Sequence, residues 1–320
     1  MDPVRLAELV QIVGGTPAGR FDPEGVVEAA TIHSERIHRA SLFFALSGTR
    51  TDGHRFVADA FANGAAAAVV ARGRAGELAA AGPLVEVDDP RTALQALAAW
   101  WRRQLRAEVV AVVGSNGKTV TKDALVHFAG YGRRIYGSPG TYNSQIGVPL
   151  AVLACPRDCD VAVIEAAVTE PGEMARLEEV VRPDHVVVTN LGTRWSSHFA
   201  DRAAQAAELL RMAARLGDRS WLLVGEDAPE LAAAAPGAAR RLVTDASADL
   251  PRFEPPVRLA DGLGAAVRFP DGTAGSILAR TPSDAVLQDV RTAVSAAWLL
   301  GVGAPALLEA AAAYVPTSTR

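Results

Sequence analysis

The sequence predicts an α/β protein: a small N-terminal α/β domain, then a larger domain built on a mostly parallel sheet with flanking helices. Three observations predict it. From Glu108 onward, apolar runs of strand length recur ("VVAVVG", "VAVIEA", "HVVVTN", "WLLVGED"), with helical segments between them. Runs this uniformly apolar suit strands buried on both faces, as in a parallel sheet covered by helices. The pattern changes at the polar stretch Arg102 to Arg106, which sets the predicted boundary between residues 1–105 and 106–320. Finally, 320 residues with 49% hydrophobic content suffice for a sizeable core and for about two domains.

Each element has its own signal. "VRLAELVQIVGG" has helical spacing and a Gly-Gly stop. "SLFFAL" (Ser41 to Leu46) has strand length, and "HRFVADAFANGAAAAVVAR" predicts a helix capped at Gly64 and then a strand. "PLVEVDD" predicts another strand, ending in two acids and Pro90. "RTALQALAAWWRRQL" predicts a helix whose apolar stripe includes Leu94, Leu97 and Trp101. In the second domain, the four apolar runs are the sheet strands. Residues 245–283 combine Pro, Gly and shorter alternating segments such as "AAVRFP", predicting a small antiparallel excursion. A helical stretch, "LQDVRTAVSAAWLLGVG", then precedes "APALLEAAAAYVPTSTR".

Composition narrows the partners. The net charge is -4 and no basic block is interleaved with aromatics, which argues against nucleic acid. Two cysteines, Cys155 and Cys159, are too few for a disulfide framework and are expected as free thiols. The opening residues carry charge and lack a signal-peptide core, and no apolar run reaches the ~18 residues of a membrane span. A soluble, cytoplasmic chain with no membrane partner is expected.

The strongest chemical signal is Gly114-Ser115-Asn116-Gly117-Lys118-Thr119. A strand leads in, and "KTVTKDALVHFA" leads out as a helix. That context suits a phosphate loop of P-loop NTPase type. Its glycines allow a tight turn whose N–H groups converge on phosphate oxygens, and the helix N-terminus adds about half a positive charge. Lys118 would neutralise β- and γ-phosphates, and Thr119 would offer a hydroxyl to Mg²⁺. The bland reading is an ordinary Gly-rich strand–helix turn. The longer G-x-x-x-x-G-K-[ST] pattern is not met, since Val112 stands where its first glycine would be.

"GSNGKT", followed by "GTYNSQIGVPLAVL" and "VIEAAVTEPGEM", resembles the Mur ligases, and within them the branch that adds D-alanyl-D-alanine. "SLFFALSGTRTDGHRFVADAFANGAAAAVV" is similar to that family's nucleotide-sugar-binding domain, with Gly48, Asp52, Gly53, His54 and Phe56 matching. The resemblance implies an ATP- and Mg²⁺-dependent ligase. It activates a carboxylate as an acyl phosphate, and an amine then attacks. It implies Thr119 and Glu165 as metal ligands, Asn143 near metal and substrate, and a carboxylate substrate that is UDP-linked in the family.

Departures from the family pattern are as informative. In "AQAAELLRM", Leu209 occupies the place of a lysine that the family carbamylates, and Glu208 beside it points about 100° away on a helix. In "TNLGTRWSSHFADR", Trp195 stands at the family's histidine position, while His198, three residues on, reads either as a shifted ligand or as a surface residue. At the adenine end, Gln288 and Arg291 replace two asparagines, and Gln288 could still bond an adenine edge. In the first domain the family's D-S-R triplet becomes His33-Ser34-Glu35, with Arg36 and Arg39 nearby. An acid there would repel a diphosphate. The resemblance implies a further C-terminal domain after "VPTSTR", where this sequence stops; either the sequence is trimmed, or the natural protein lacks the domain, or a separate chain supplies it. The expected function is a Mur-type carboxylate–amine ligase, diverged or repurposed. A peptidoglycan-precursor ligase cut before its third domain and a non-catalytic nucleotide-binding scaffold stay open.

Overall fold

The computed structural model describes residues 1–48, 51–193, 198–226, 228–235, 237, 240–244 and 246–315. The chain forms two compact units, residues 1–105 with 145–157, and residues 106–144 with 158–320.

The first unit contains β1 (Val4–Arg5), α1 (Leu6–Val13), β2 (Thr16–Gly19), β3 (Val26–Val27), β4 (Ala29–Thr31) and β5 (Ser41–Phe44). It continues through α2 (Val57–Ala62), β6 (Ala67–Ala71), α3 (Ala75–Leu78), β7 (Pro83–Val87) and α4 (Pro90–Arg102). Its sheet runs β2-β7-β6-β5-β4, parallel except at the β2 edge. The helix α4 starts where Asp89 accepts the N–H groups of Arg91 and Thr92, and it buries Leu94, Leu97 and Trp101 as its stripe predicts. The residue that caps α2 is Asn63, one position before the expected Gly64. Residues 145–157 carry a helix of Gly147–Ala154 and group with this unit, although the flanking chain belongs to the other. That helix is apolar on nearly every side, so its sequence gave no stripe to say which core it joins.

The second unit begins with β8 (Glu108–Val113), α5 (Lys118–Ala129) and β9 (Ile135–Gly137). The helix of Gly147–Ala154 is α6 in chain order. Then come β10 (Val161–Glu165), α7 (Glu173–Val181), β11 (His185–Val188), α8 (Arg202–Leu210), β12 (Trp221–Val224), α9 (Pro229–Ala234) and β13 (Arg240–Val243). The antiparallel excursion holds β14 (Arg252–Phe253), β15 (Val257–Leu259), β16 (Gly262–Arg268) and β17 (Ala274–Ala279), before α10 (Asp284–Leu299) and α11 (Ala304–Ala313).

The main sheet runs β13-β12-β11-β8-β10-β9 and is parallel throughout. All four apolar runs are its central strands. The edge strands β9 and β13 have only three and four residues, too few to show a period, which is why the sequence pattern passed over them. One core joins a sheet face (Val110, Val112, Val163, Val187) to α5, α10 and the excursion through Phe128, Val290, Val294 and Ile277. Cys155 and Cys159 are both buried thiols. Among the described residues no helix is long and apolar enough to cross a membrane.

Candidate functional site

The candidate site forms at the carboxyl ends of β8, β10 and β11, where an open parallel sheet presents its loops. Strand β8 ends at Val113, and the chain turns through Gly114 at φ +134°. A Cβ at Gly114 would collide with the Thr189 hydroxyl. At Gly117 the backbone is left-handed, φ +76°, and a Cβ would collide with the Asp289 carboxylate. Both positions therefore require glycine for conformation and for space.

Two residues that follow β11 hold the loop. The Asn116 N–H donates to Asn190 Oδ1 at 3.2 Å, and Asn190 Nδ2 donates to the Asn116 carbonyl at 3.2 Å. Thr189 Oγ1 donates to that same carbonyl at 2.5 Å. The Ser115 N–H donates to the Asn190 carbonyl at 3.1 Å, and Gln205 reaches the Ser115 hydroxyl at 3.3 Å. The amides of Ser115 and Asn116, expected from the sequence to face phosphate, are thus turned toward Asn190. A strand-end asparagine offers a carbonyl and a side-chain amide just where those N–H groups emerge. The first intrahelical bond of α5 runs from the Thr121 N–H to the Gly117 carbonyl. The N–H groups of Thr119 and Val120 precede that bond at the helix start, where an anion can be received.

Lys118 lies folded over the turn, with Nζ 2.9 Å from the Gly114 carbonyl and 3.0 Å from that of Ser115. Thr119 Oγ1 donates to Glu165 Oε2 at 2.8 Å, and Asn143 Nδ2 donates to Glu165 Oε1 at 2.6 Å. Glu165 ends β10 and is 1% exposed. Its side-chain partners are a hydroxyl and an amide, both neutral. Among the described residues no ion pair involves it. A carboxylate withdrawn from water with no counter-charge is costly, so this arrangement leaves room for a cation in its electrostatics.

Asp289 on α10 is a site-lining residue that the sequence reading missed. Burial pushes its carboxyl up to about 7, against the opposing pull of the Thr121 hydroxyl and the Lys118 ammonium. The available signal was an acid interrupting an apolar helical stripe that continues at Ala293 and Ala296. Its neighbour Gln288 donates to the Gly225 carbonyl at 2.8 Å, beyond the end of β12. Arg291 turns away to the excursion sheet, donating to the Glu254 carbonyl at 2.7 Å and lying over the Phe253 ring.

His198 is exposed, and its Nδ1 donates to the Thr169 carbonyl at 2.9 Å, four residues past Glu165. Trp195, aligned with the family histidine, lies outside the described residues. Leu209 is 4% exposed and packs as a core residue. Glu208 is committed to structure. It accepts the Met174 N–H at 2.8 Å, at the start of α7, and pairs with Arg211 at 3.0 Å.

In the first unit, the matching Asp52-Gly53-His54 stretch builds a turn. His54 is 1% exposed, with Nδ1 2.6 Å from Asp52 Oδ1 and Nε2 accepting the Ala71 N–H at 2.9 Å. That pairing fixes the proton on Nδ1 in the neutral ring. The hydrogen bonds from the His54 ring and backbone, with Arg74 beside them, hold the Asp52 carboxyl well below the usual carboxylate range. Glu35 is exposed, its Oε1 3.5 Å from His33 Nδ1.

A family model described as the Mur ligase middle domain matches residues 112–250, and one described as the Mur ligase family catalytic domain matches residues 27–102. The UDP-N-acetylmuramoyl-tripeptide–D-alanyl-D-alanine ligase of Bacillus subtilis (strain 168) is 33% identical over 228 residues, 70% of this chain and 49% of the relative. A crystal structure of MurF from Acinetobacter baumannii superposes with TM-score 0.86 at 23% identity, over 97% of this chain and 68% of that one. MurF from Thermotoga maritima in complex with ADP superposes with TM-score 0.73 at 22% identity, over 88% of this chain and 66% of that one. The chain spans about half the length of the curated relatives it matches.

Proposed function

The chain belongs to the Mur ligase family, and from that premise we propose that it is part of an ATP-dependent carboxylate–amine ligase acting through an acyl phosphate. The observation that carries this reading is Glu165, a buried carboxylate with only neutral partners, hydrogen-bonded to the hydroxyl that follows the Gly117-Lys118 turn. In the reaction, a substrate carboxylate attacks the γ-phosphorus of ATP and ADP leaves. An amine then attacks the acyl carbon and phosphate leaves. Both steps bring anions together, so the protein's work is charge neutralisation and alignment.

The chain's own residues divide that work. Lys118 exchanges two neutral loop carbonyls for phosphate oxygens, a stronger, charge-assisted contact. The donors at the start of α5 take a further oxygen. Asn143 holds the Glu165 carboxylate in the orientation that also meets Thr119. Mg²⁺ fits this donor set. Hydroxyl and carboxylate oxygens are hard ligands, and Mg²⁺ is commonly held by one or two protein groups plus phosphate and water. Among the described residues no cluster of three or more His, Cys, Asp or Glu side chains offers a fuller metal cage. When bound, the ion would neutralise phosphate charge between Thr119 and Glu165. Gln288, beside Asp289, is our candidate for an adenine contact, and His198 for a contact near the acyl group.

The named relatives join D-alanyl-D-alanine to a UDP-linked tripeptide, and that pair is the first substrate set to try. A second reading keeps the chemistry and changes the carboxylate. It is favoured by the exposed Glu35, which would oppose a diphosphate, and by Leu209, which cannot form a carbamate. A nucleotide-binding scaffold without turnover is the third, and it rests on Leu209 alone. ADP release that requires both a carboxylate and an amine separates the first two from the third. Calorimetry with uridine diphosphate separates the first from the second. Absence of any ATP or ADP binding would overturn all three.

A further inference from the structure

Lys122 lies one turn beyond Lys118 on α5, and it is 2% exposed. A buried ammonium is costly unless acceptors take its N–H groups. Its Nζ donates to the Ser138 carbonyl at 2.8 Å and to the Gly140 carbonyl at 2.9 Å, and Asp123 Oδ1 lies 3.0 Å away. Both carbonyls belong to the segment that runs from the end of β9 to Asn143. That segment also meets Glu165, at two points. The Glu165 N–H donates to Ser138 Oγ at 3.0 Å, and the Asn143 amide donates to Glu165 Oε1. The Ala167 N–H, just past Glu165, donates to the Asn143 carbonyl at 2.8 Å.

One side chain thus ties the phosphate-loop helix to the segment that orients the carboxylate. The cation it supplies lies with backbone carbonyls, while Glu165 keeps only neutral partners. A lysine placed to neutralise Glu165 would have closed the place for a metal; this one braces the segment and leaves the carboxylate's charge available. We infer that Lys122 is a positioning residue for the divalent cation held between Thr119 and Glu165. It acts by clamping residues 138–143 to α5, so that Asn143 fixes the rotamer of Glu165. The inference rests on the reading proposed above, in which Thr119 and Glu165 would hold the ion.

The test is ADP affinity of the 320-residue chain by calorimetry, with and without Mg²⁺, for the parent, Lys122→Met and Glu165→Ala. Outer-shell partners typically govern ~10–100-fold in metal affinity, so Lys122→Met is expected to cut the Mg²⁺-dependent gain in ADP binding at least tenfold. Metal-free ADP affinity is expected to stay within about twofold, because Lys118 and the helix-start amides remain. Where Lys122→Met does not fold, Lys122→Gln, which leaves fewer donors for the two carbonyls, is read by the same two affinities. Equal losses with and without Mg²⁺, or an intact Mg²⁺ gain, overturn the inference. The control separates the two ideas. A Glu165→Ala chain that keeps its Mg²⁺ gain sinks the metal reading itself, whereas loss in Glu165→Ala with retention in Lys122→Met sinks only the role of Lys122.

Discussion

Lys118 illustrates how much a single side chain can reveal about a site. Its ammonium rests on two carbonyls of its own loop. Such contacts are modest, and charge-assisted contacts to phosphate exceed them. One contact of that kind is worth ~1.5–3 kcal/mol. Lys118→Ala is therefore expected to weaken ADP binding at least about tenfold, measured by calorimetry; unchanged affinity would remove the phosphate-loop assignment. Asp289 yields a second residue-scale expectation. Its folded value of about 7 lies above the ordinary 3.8, so the folded chain holds a proton that the unfolded chain releases. Stability from this group is fully present below pH 3.8 and is lost as pH rises toward 7. Replacing Asp289 with Asn removes that loss. The difference in melting temperature between Asp289→Asn and the parent should grow between pH 4 and 7 and then level off. A difference independent of pH would show that Asp289 stays ionised throughout.

At the scale of elements, the glycine turn before α5 and α10 constrain each other. Gly117 sits at φ +76° with the Asp289 carboxylate against it, on a helix pair that shares the core of Phe128, Val290 and Val294. Gly117→Ala adds a left-handed penalty of ~1–2 kcal/mol and forces Asp289 to move. ADP binding should fall, and the double variant Gly117→Ala, Asp289→Ala should recover part of the loss by removing the collision. No recovery would mean that backbone strain alone decides the position. These elements differed in how far the sequence exposed them. The buried strands β8, β10, β11 and β12 were legible because a strand covered on both faces must be apolar along its length. The helix α4 was legible from its stripe, whereas its Asp89 cap emerged only in the structure. β9 and β13 were not, because three or four residues at a sheet edge carry no periodicity. The site residues divided the same way. Gly117, Lys118 and Thr119 lie within one local turn. Asp289 and Asn190 reach that turn from distant parts of the chain, and no local pattern joins them.

The whole molecule divides into two compact units, and nucleotide should act on one of them. ADP with Mg²⁺ at about a hundred times its dissociation constant stabilises the bound state by about 2.7 kcal/mol. Hydrogen exchange is expected to slow at the carboxyl ends of β8, β10 and β11 and at the start of α5, with β4 to β7 unchanged. Slowing in β4 to β7 instead would move the nucleotide site to the first unit. The sequence by itself determined the fold class, the parallel core, the glycine turn before α5 and the family, because each is written in contiguous residues whose chemistry is local. Only the tertiary structure decided which groups surround that turn: Glu165 left with neutral partners, Lys122 spent on carbonyls, Asn190 holding the Asn116 peptide, and Asp289 pressed against Gly117. It also placed His54 in the interior and residues 145–157 with the first unit. The physical reason is that burial and pairing are properties of approach. A side chain's charge is fixed by its chemistry, but what balances it depends on which distant segments the fold brings within hydrogen-bond distance.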